Sequence, residues 1–551
     1  MPNPSTPPTS RPRRASAFLV GAGILLSRIA GLIRESIFAH YLGNSVAADA
    51  FKAAIRIPNF LQNLLGEGVL SASFIPVYSR LIAEGEAELA GRVAGIVGSL
   101  LALAVSVIVL IGVAVTPVLM SLLAPGFQGE TRDLTMHIVQ IMFPGVGVFV
   151  LSAWCLGLLN SHRLFFVSYA APVLWNVAMI GTLLGFGGHH SQSSLAIILA
   201  WGSVVGALLQ FGVQLPFIFW RKTADGSTIG EKIVFGLNTS LGPVRQVFRS
   251  LGPVIISRGV VQLSAYIDGW IASWLGLGAV SSLGYAQTLY LLPISLFGMS
   301  VAAAELPEMS SSTGTREEIH AKLRERLIAG KRNIAFYVIP CVAGFLVLGQ
   351  FIVAAYLQTG DFTHDDTLYV WYILMGSTVG LLAATWGRLY SSAFYALRDT
   401  RTPLRYAIVR VILTAVLGLL FAFPLRRALN LAFERLLHLP LPAMAGIELK
   451  MGVVGLTLSA GLAGWIEFLL LRDALQARIG STALPRHYPA KIWAAAICAS
   501  ADSWAVGHYV HFGYRWLNLA AVLGSFGIVY GAVTWLANIP EARSLLKRFQ
   551  R

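Results

Sequence analysis

Two apolar stretches near the start of the chain carry charges at helical spacing. Arg28, Arg34 and Glu35 stand in the first, and Lys52, Arg56, Asn59, Asn63 and Glu67 in the second. Arg28 and Glu35 are seven residues apart and share a helix face, while Arg34 lies off that face. The second set is spaced 4, 3, 4 and 4, which predicts one continuous polar stripe along a helix. Pro58, Gly66 and Gly68 permit a bend within it. A charge facing lipid at mid-membrane costs about 2.5–3.5 kcal/mol or more. The stripe must therefore face protein or a water-filled cavity. A cavity with surplus positive charge suits an anionic ligand, above all a phosphate or pyrophosphate, which Arg binds through two parallel hydrogen bonds. Glu35 and Glu67 then hold the cations in place or take part in gating. A purely structural account, in which the charges pair and fix helix packing, suffices for one Arg–Glu pair but not for a whole stripe.

The other intramembrane charges are fewer. Arg258 and Asp268 fall in a seventh apolar stretch. Arg388 sits near the cytoplasmic end of a tenth, where snorkelling to the interface accounts for it. Asp399 precedes an eleventh, where a helix dipole would stabilise it. Cys155, Cys341 and Cys498 lie far apart in apolar runs and are expected to be buried core residues. His189-His190 has no partner spacing, so no metal site is expected. No phosphate-binding loop or hydrolase motif is present, and no soluble stretch is long enough for a nucleotide-binding domain.

These residues need a membrane scaffold to position them. The 551-residue chain is 56% hydrophobic and 12% charged, with a mean hydropathy of +0.69; soluble domains carry about twice that share of charge. Spans of about 20 apolar residues are placed at 17–42, 51–79, 93–124, 134–160, 165–187, 194–220, 248–276, 281–308, 333–358, 367–396, 404–424, 449–471, 488–510 and 516–537. The fold class expected is thus an all-α polytopic membrane protein with about fourteen transmembrane helices. The net charge of +15 collects in alternate connections, with Arg221, Lys222 and Lys232 in one and Arg316, Lys322, Arg324 and Arg326 in another. That pattern follows the positive-inside rule with both termini cytoplasmic, and argues for membrane rather than nucleic acid. The connection 425–448 should lie outside yet carries Arg426, Arg427 and Arg435, so an amphipathic interfacial helix is expected there.

Internal repetition adds an organisation. Ser27-Arg28 opens a segment ending in Tyr41-Leu42-Gly43, and Ser257-Arg258 one ending in Trp274-Leu275-Gly276. Each is followed by a span with prolines near both ends: Pro58 and Pro76, Pro293 and Pro307. Two pseudo-symmetric six-helix lobes plus two C-terminal helices form an alternating-access architecture. The expected layout is a disordered tail over 1–16, an N-lobe over 17–220 and a cytoplasmic linker over 221–247. A C-lobe follows over 248–424, completed by the twelfth span, then the interfacial segment 425–448, the last spans within 449–537 and a cytoplasmic tail over 538–551.

The run Ser27-Arg-Ile-Ala-Gly-Leu-Ile-Arg-Glu35, with Ala48-Asp-Ala-Phe51, Arg56-Ile-Pro-Asn59 and Gly66-Glu-Gly-Val-Leu-Ser71, closely resembles the MurJ (MviN) family. A second matching patch is Phe394-Tyr-Ala396 with Asp399-Thr-Arg-Thr-Pro403. These are bacterial flippases for lipid II, the undecaprenyl-pyrophosphate-linked peptidoglycan precursor, in the superfamily of multidrug exporters and O-antigen flippases. The resemblance implies a central cationic cavity for the pyrophosphate and sugars of lipid II, exposed to either side in turn as two lobes rock. Arg28, Arg34, Asp49 and Glu67 match family positions tied to activity, Arg56 matches a basic position, and Glu35 stands where Asp is usual. Asp268 and Asp399 are candidates for a family-like cation site.

Two departures stand out. Gln62-Asn63 occupies a place where members carry arginines, and Thr288 stands at the Arg position of Tyr285-Ala-Gln-Thr-Leu289. Arg258 is a candidate to supply the missing charge.

The expectation is a lipid II flippase of the bacterial cytoplasmic membrane, acting as a monomer among membrane lipids. It is a transporter rather than an enzyme and needs no cofactor, its cycle biased by membrane potential or by Na+ or H+. Substrate-binding candidates are Arg28, Arg34, Arg56, Asn59, Asn63 and Arg258; gating or structural polar candidates are Glu35, Asp49 and Glu67. The alternatives are a flippase for another polyprenyl-pyrophosphate glycan and a drug exporter, for which acidic rather than basic cavity residues would be expected. A membrane glycosyltransferase would need a catalytic carboxylate beside a large outside loop, and the outside loops here are mostly short.

Overall fold

The computed structural model describes residues 11–222, 227–301, 315–437, 442–444, 446–485, 487–510 and 512–549, with Glu305 and Met309. The side chains of Glu67 and Arg258 lie outside the described residues. Among the described residues there is no β-strand, only one isolated bridge between Lys222 and Thr228. The chain forms two compact units, Met1–Tyr266 and Ile267–Arg551.

The first unit contains α1 (Arg11–Leu42), α2 (Val46–Ala54), α3 (Arg56–Leu65), α4 (Glu67–Ala83), α5 (Ala87–Ala114), α6 (Thr116–Leu123), α7 (Gly129–Ser161), α8 (Phe165–Phe186), α9 (Gln192–Gly212) and α10 (Leu215–Phe219). It ends within α11 (Gly242–Ala272). α1 packs along α8, and α7 along α5 and α9. Phe74 and Tyr78 of α4, Val93 and Val97 of α5, and Trp154 and Leu158 of α7 share one buried core. The Trp154 indole donates to the Ala94 carbonyl at 3.1 Å, so this apolar core also satisfies its polar edge. The linker crosses α5 at Gly95, where a Cβ would stand 2.2 Å from the Val234 carbonyl oxygen.

The second predicted span is not one helix, which corrects the expectation of a continuous stripe. It is broken twice, and the sequence explains both breaks. Pro58 has no N–H to donate to the Ala54 carbonyl, so α2 stops at Ala54 and α3 begins anew with proline in its first turn. Gly66 has ψ −140, outside the helical range, and its N–H closes on the Gln62 carbonyl at 2.7 Å. A Cβ there would lie 2.2 Å from the same oxygen, so only glycine makes this joint. Lys52, the Arg56–Asn63 group and Glu67 therefore ride on three separate helices.

The second unit continues with α12 (Ala279–Pro293), whose end passes into a wider turn over Ile294–Met299. Then come α13 (Arg316–Leu357), α14 (His364–Thr378), α15 (Leu381–Ala396), α16 (Arg401–Ala422), α17 (Arg426–Leu437) and α18 (Ile447–Lys450). α19 (Gly452–Ile479), α20 (His487–Tyr509), α21 (Arg515–Leu536) and α22 (Pro540–Phe549) complete it. α16 packs along α19 and α20 along α21. Thr315 and Glu318 form a reciprocal cap that starts the 42-residue α13.

Among the described residues eight helices are long and apolar enough to cross a membrane, and the pair α14–α15, bent by 40°, makes a ninth if counted as one span. The other predicted spans coincide with α1, the broken α2–α4 run, α11, α12 and α20, which are more polar or interrupted. The segment 425–448 contains the helix α17 with Arg426, Arg427 and Arg435. Cys155 is buried as expected, whereas Cys498 lies on an exposed side of α20.

Gly66→Ala is expected to force the α3–α4 joint apart and lower the melting temperature in detergent by several degrees. The control Gly181→Ala, in α8 with open space around the added carbon, should be neutral or stabilise by about 0.5–1 kcal/mol, as a helix-interior Gly→Ala change does.

Candidate substrate site

The first unit gathers its charges around one carboxylate. Glu35 of α1 is only 3% exposed. It accepts a charge-assisted hydrogen bond from Lys52 of α2 and lies 3.5 Å from the Arg34 guanidinium. Lys52 also sits over the Phe38 ring, 4.8 Å from its centroid. One buried carboxylate therefore contacts two cationic side chains at once.

Arg34 is held from three sides. Besides Glu35, its Nη1 donates to Asn176 Oδ1 at 3.1 Å, and its guanidinium lies over the Trp175 ring at 4.8 Å. Both partners are themselves fixed. Asn176 Nδ2 donates to the Pro172 carbonyl at 3.1 Å, and the Trp175 indole donates to Ser203 at 3.2 Å. A cation held by a neutral amide and a ring face is positioned without being neutralised.

Asp49 is fully buried in the first turn of α2, where the N-terminal dipole favours its carboxylate. Arg56 opens α3, and its carbonyl accepts the Tyr266 hydroxyl at 2.8 Å while Phe60 meets the Tyr266 ring edge-on at 5.5 Å. Asn59 is half-buried and Asn63 exposed on the same helix. Arg28 stands on an exposed side of α1 beside Leu25, Leu26 and Ile29. The structure thus brings Arg34, Glu35 and Lys52 into direct contact. Asn176 and Trp175 were missed from the sequence, although an Asn within a 22-residue apolar helix, four after a proline, was a visible signal.

The second unit separates the two carboxylates singled out for a cation. Asp399 caps α16: its Oδ1 accepts from the Arg401 and Thr402 amides, both at 3.0 Å, and its Oδ2 from the Thr402 hydroxyl and Arg478, both at 2.7 Å. The Thr402 hydrogen bonds first, then Arg478, hold its carboxyl well below the usual carboxylate range. This is the dipole-stabilised cap already weighed for it, with Arg478 added from the end of α19. Asp268 of α11, with Arg388 and Arg410, instead lies within electrostatic reach of Tyr290. Arg410 in turn pairs with Glu467 at 3.1 Å. Among the described residues no group of three or more His, Cys, Asp or Glu is arranged to hold a metal ion.

Against known proteins, a family model described as lipid II flippase MurJ matches residues 38–437. The "Probable lipid II flippase MurJ" of Rhizobium tropici is 31% identical over 417 residues, covering 74% of each chain. The "Lipid II flippase MurJ" of Burkholderia cenocepacia is 28% identical over 532 residues, covering 94% of this chain and 96% of that one. Among solved structures, a lipid II flippase MurJ in an inward closed conformation superposes with a TM-score of 0.71 at 22% identity, covering 94% and 99% of the two chains. An inward-facing multidrug-resistance MATE family transporter of the MOP superfamily gives 0.61 at 15% identity, covering 85% and 100%. These two likenesses establish the fold.

Glu35→Gln removes the carboxylate that Arg34 and Lys52 share and should destabilise the protein by about 3–5 kcal/mol, the usual cost of breaking a buried ion pair from one side. Adding Lys52→Met should recover part of that loss. Thermal melts of the two single variants and the double variant in detergent check the coupling; strictly additive effects would refute it.

Proposed function

This chain belongs to the lipid II flippase MurJ family, and from that membership we propose that it carries lipid II from the inner to the outer leaflet of the bacterial cytoplasmic membrane. The observation that supports this reading most is the buried cluster of Arg34 and Lys52 around Glu35, with Arg34 also held by Asn176 and Trp175. Lipid II presents a pyrophosphate between an undecaprenyl chain and a glycan. Arg34, aimed by Asn176 and Trp175, and Lys52, shared with Glu35, are the groups to meet it. As the pyrophosphate arrives it competes with Glu35 for both cations, and as it leaves Glu35 recovers them. A carboxylate already in the cluster thus spares the protein from exposing two bare cations in the empty state, and limits how tightly the anion is held.

Transport proceeds by alternating access without ATP hydrolysis, and the protein acts as a transporter rather than an enzyme. A membrane potential of 100 mV contributes about 2.3 kcal/mol per charge moved, enough to bias the cycle; an Na+ or H+ gradient is the other source. The protein is a multi-pass membrane protein with both termini cytoplasmic, working as a monomer among membrane lipids. Arg28 and Arg56 add basic charge along the substrate's route, and Asn59 and Asn63 add neutral hydrogen-bonding groups.

Complementation tests this reading. In a bacterium depleted of its own lipid II flippase, the wild-type chain should restore growth, while Arg34→Ala at equal membrane abundance should not. Reconstituted wild-type protein that moves another polyprenyl-pyrophosphate glycan but never lipid II would sink it.

A further inference from the structure

Beside the cationic cluster the first unit holds an open cavity of about 390 Å³ with no charged residue among its described walls. Its walls come from α3, α4, α7, α8 and α9, and its polar groups are the side chains of Gln62, Asn63, Ser71, Ser152 and Gln210. Phe149 supplies an aromatic wall.

The polar groups of this cavity are wired together. Gln210 Nε2 donates to Ser152 Oγ at 3.2 Å, and the Ser152 hydroxyl donates to Gln214 Oε1 at 3.3 Å. Gln214 is fully buried, and its Nε2 has no hydrogen-bond partner among the described residues. Burying amides at this cost is unusual inside a membrane helix bundle unless a polar ligand or water uses them. The cavity also adjoins Arg34 by two routes. Phe149 meets Trp175 at 5.9 Å between ring centroids, and Trp175 lies under Arg34 at 4.8 Å. Pro172, another wall residue, accepts from the Asn176 that holds Arg34.

The geometry points to a saccharide subsite: Gln62, Asn63, Ser152 and Gln210 take the uncharged hydroxyl and N-acetyl groups of a sugar while Arg34 takes the phosphate joined to it. This rests on the proposed lipid II reading and deepens it. Side-chain amides both donate and accept, as do sugar hydroxyls, and Phe149 offers an apolar wall for a pyranose face. A phosphate would find no cation among these walls and would lose its hydration uncompensated. Gln62 and Asn63 make the α3 wall of the cavity neutral and hydrogen-bonding.

The test compares two ligands on purified protein. Lipid II and undecaprenyl pyrophosphate share the lipid and pyrophosphate, and only the first carries sugar. Gln210→Leu and Gln62→Leu are expected to bind lipid II about tenfold more weakly, the loss of one or two net hydrogen bonds, and to bind undecaprenyl pyrophosphate like the wild type. The unchanged second affinity also shows that the variants are folded. Equal weakening of both ligands, or none of either, overturns the subsite while leaving lipid II transport standing. Wild-type protein that binds another polyprenyl-pyrophosphate glycan and not lipid II overturns the proposed substrate. The subsite then stands only if the same variants lose that glycan's advantage over undecaprenyl pyrophosphate.

Discussion

The first unit is organised by the need to keep charge inside a membrane near balance. Glu35 is the carboxylate against which Arg34 and Lys52 are set, and it is almost wholly buried. Removing a charge from water costs several kcal/mol unless a partner stands close by. α1 and α2 must therefore come together where Glu35 meets Lys52. The breaks in the second span follow from that demand. A straight helix through Lys52, Arg56 and Asn63 would present all three to one neighbour. Ending α2 before Pro58 lets Lys52 turn to Glu35 while α3 anchors its own start through Tyr266.

A carrier has to bind an anion and then let it go. Two carboxylates on Arg34 would fix the guanidinium but abolish its attraction for a phosphate. Asn176 and Trp175 solve this differently, by orienting the guanidinium with a neutral acceptor and a ring face. Glu35 is shared between Arg34 and Lys52. The cluster is pre-organised, so little side-chain entropy is lost on binding, yet it does not pull so hard that release becomes the slow step. Trp175 and Asn176 are adjacent on α8, which packs along α1. A shift of α8 against α1 would change both tethers at once.

Much of this was legible in the chain. Among the described residues helices stand at every predicted span position, because long apolar runs that leave water must satisfy their backbone as helices. The charged residues of the first two spans were visible for the same reason, since charge in an apolar run is costly and must be used. The pairing was not legible. Asn176 lies 142 residues from Arg34 in sequence, and periodicity on one helix says nothing about which distant helix faces it. The broken stripe was misread because spacing was counted through Pro58 and Gly66 as if the helix ran on, although both residues stood in view. At Asp399 the bland account was the informative one: a carboxylate just before a helix is a cap first, and Arg478 arrives from a helix end that local sequence could not place.

The departure at Gln62-Asn63 gains meaning from these contacts. Losing basic charge from α3 does not leave the unit without a phosphate-binding group, because Arg34 and Lys52 sit on other helices and owe nothing to positions 62 and 63. It changes what surrounds them. An arginine at either position would have to place its charge among Ser152, Gln210 and Pro172, none of which can balance it. A neutral amide enters the same space at lower electrostatic cost and keeps its hydrogen-bonding capacity. The sequence therefore trades long-range attraction for short-range selectivity on α3, and leaves the attraction to the pair of cations that Glu35 holds in reserve.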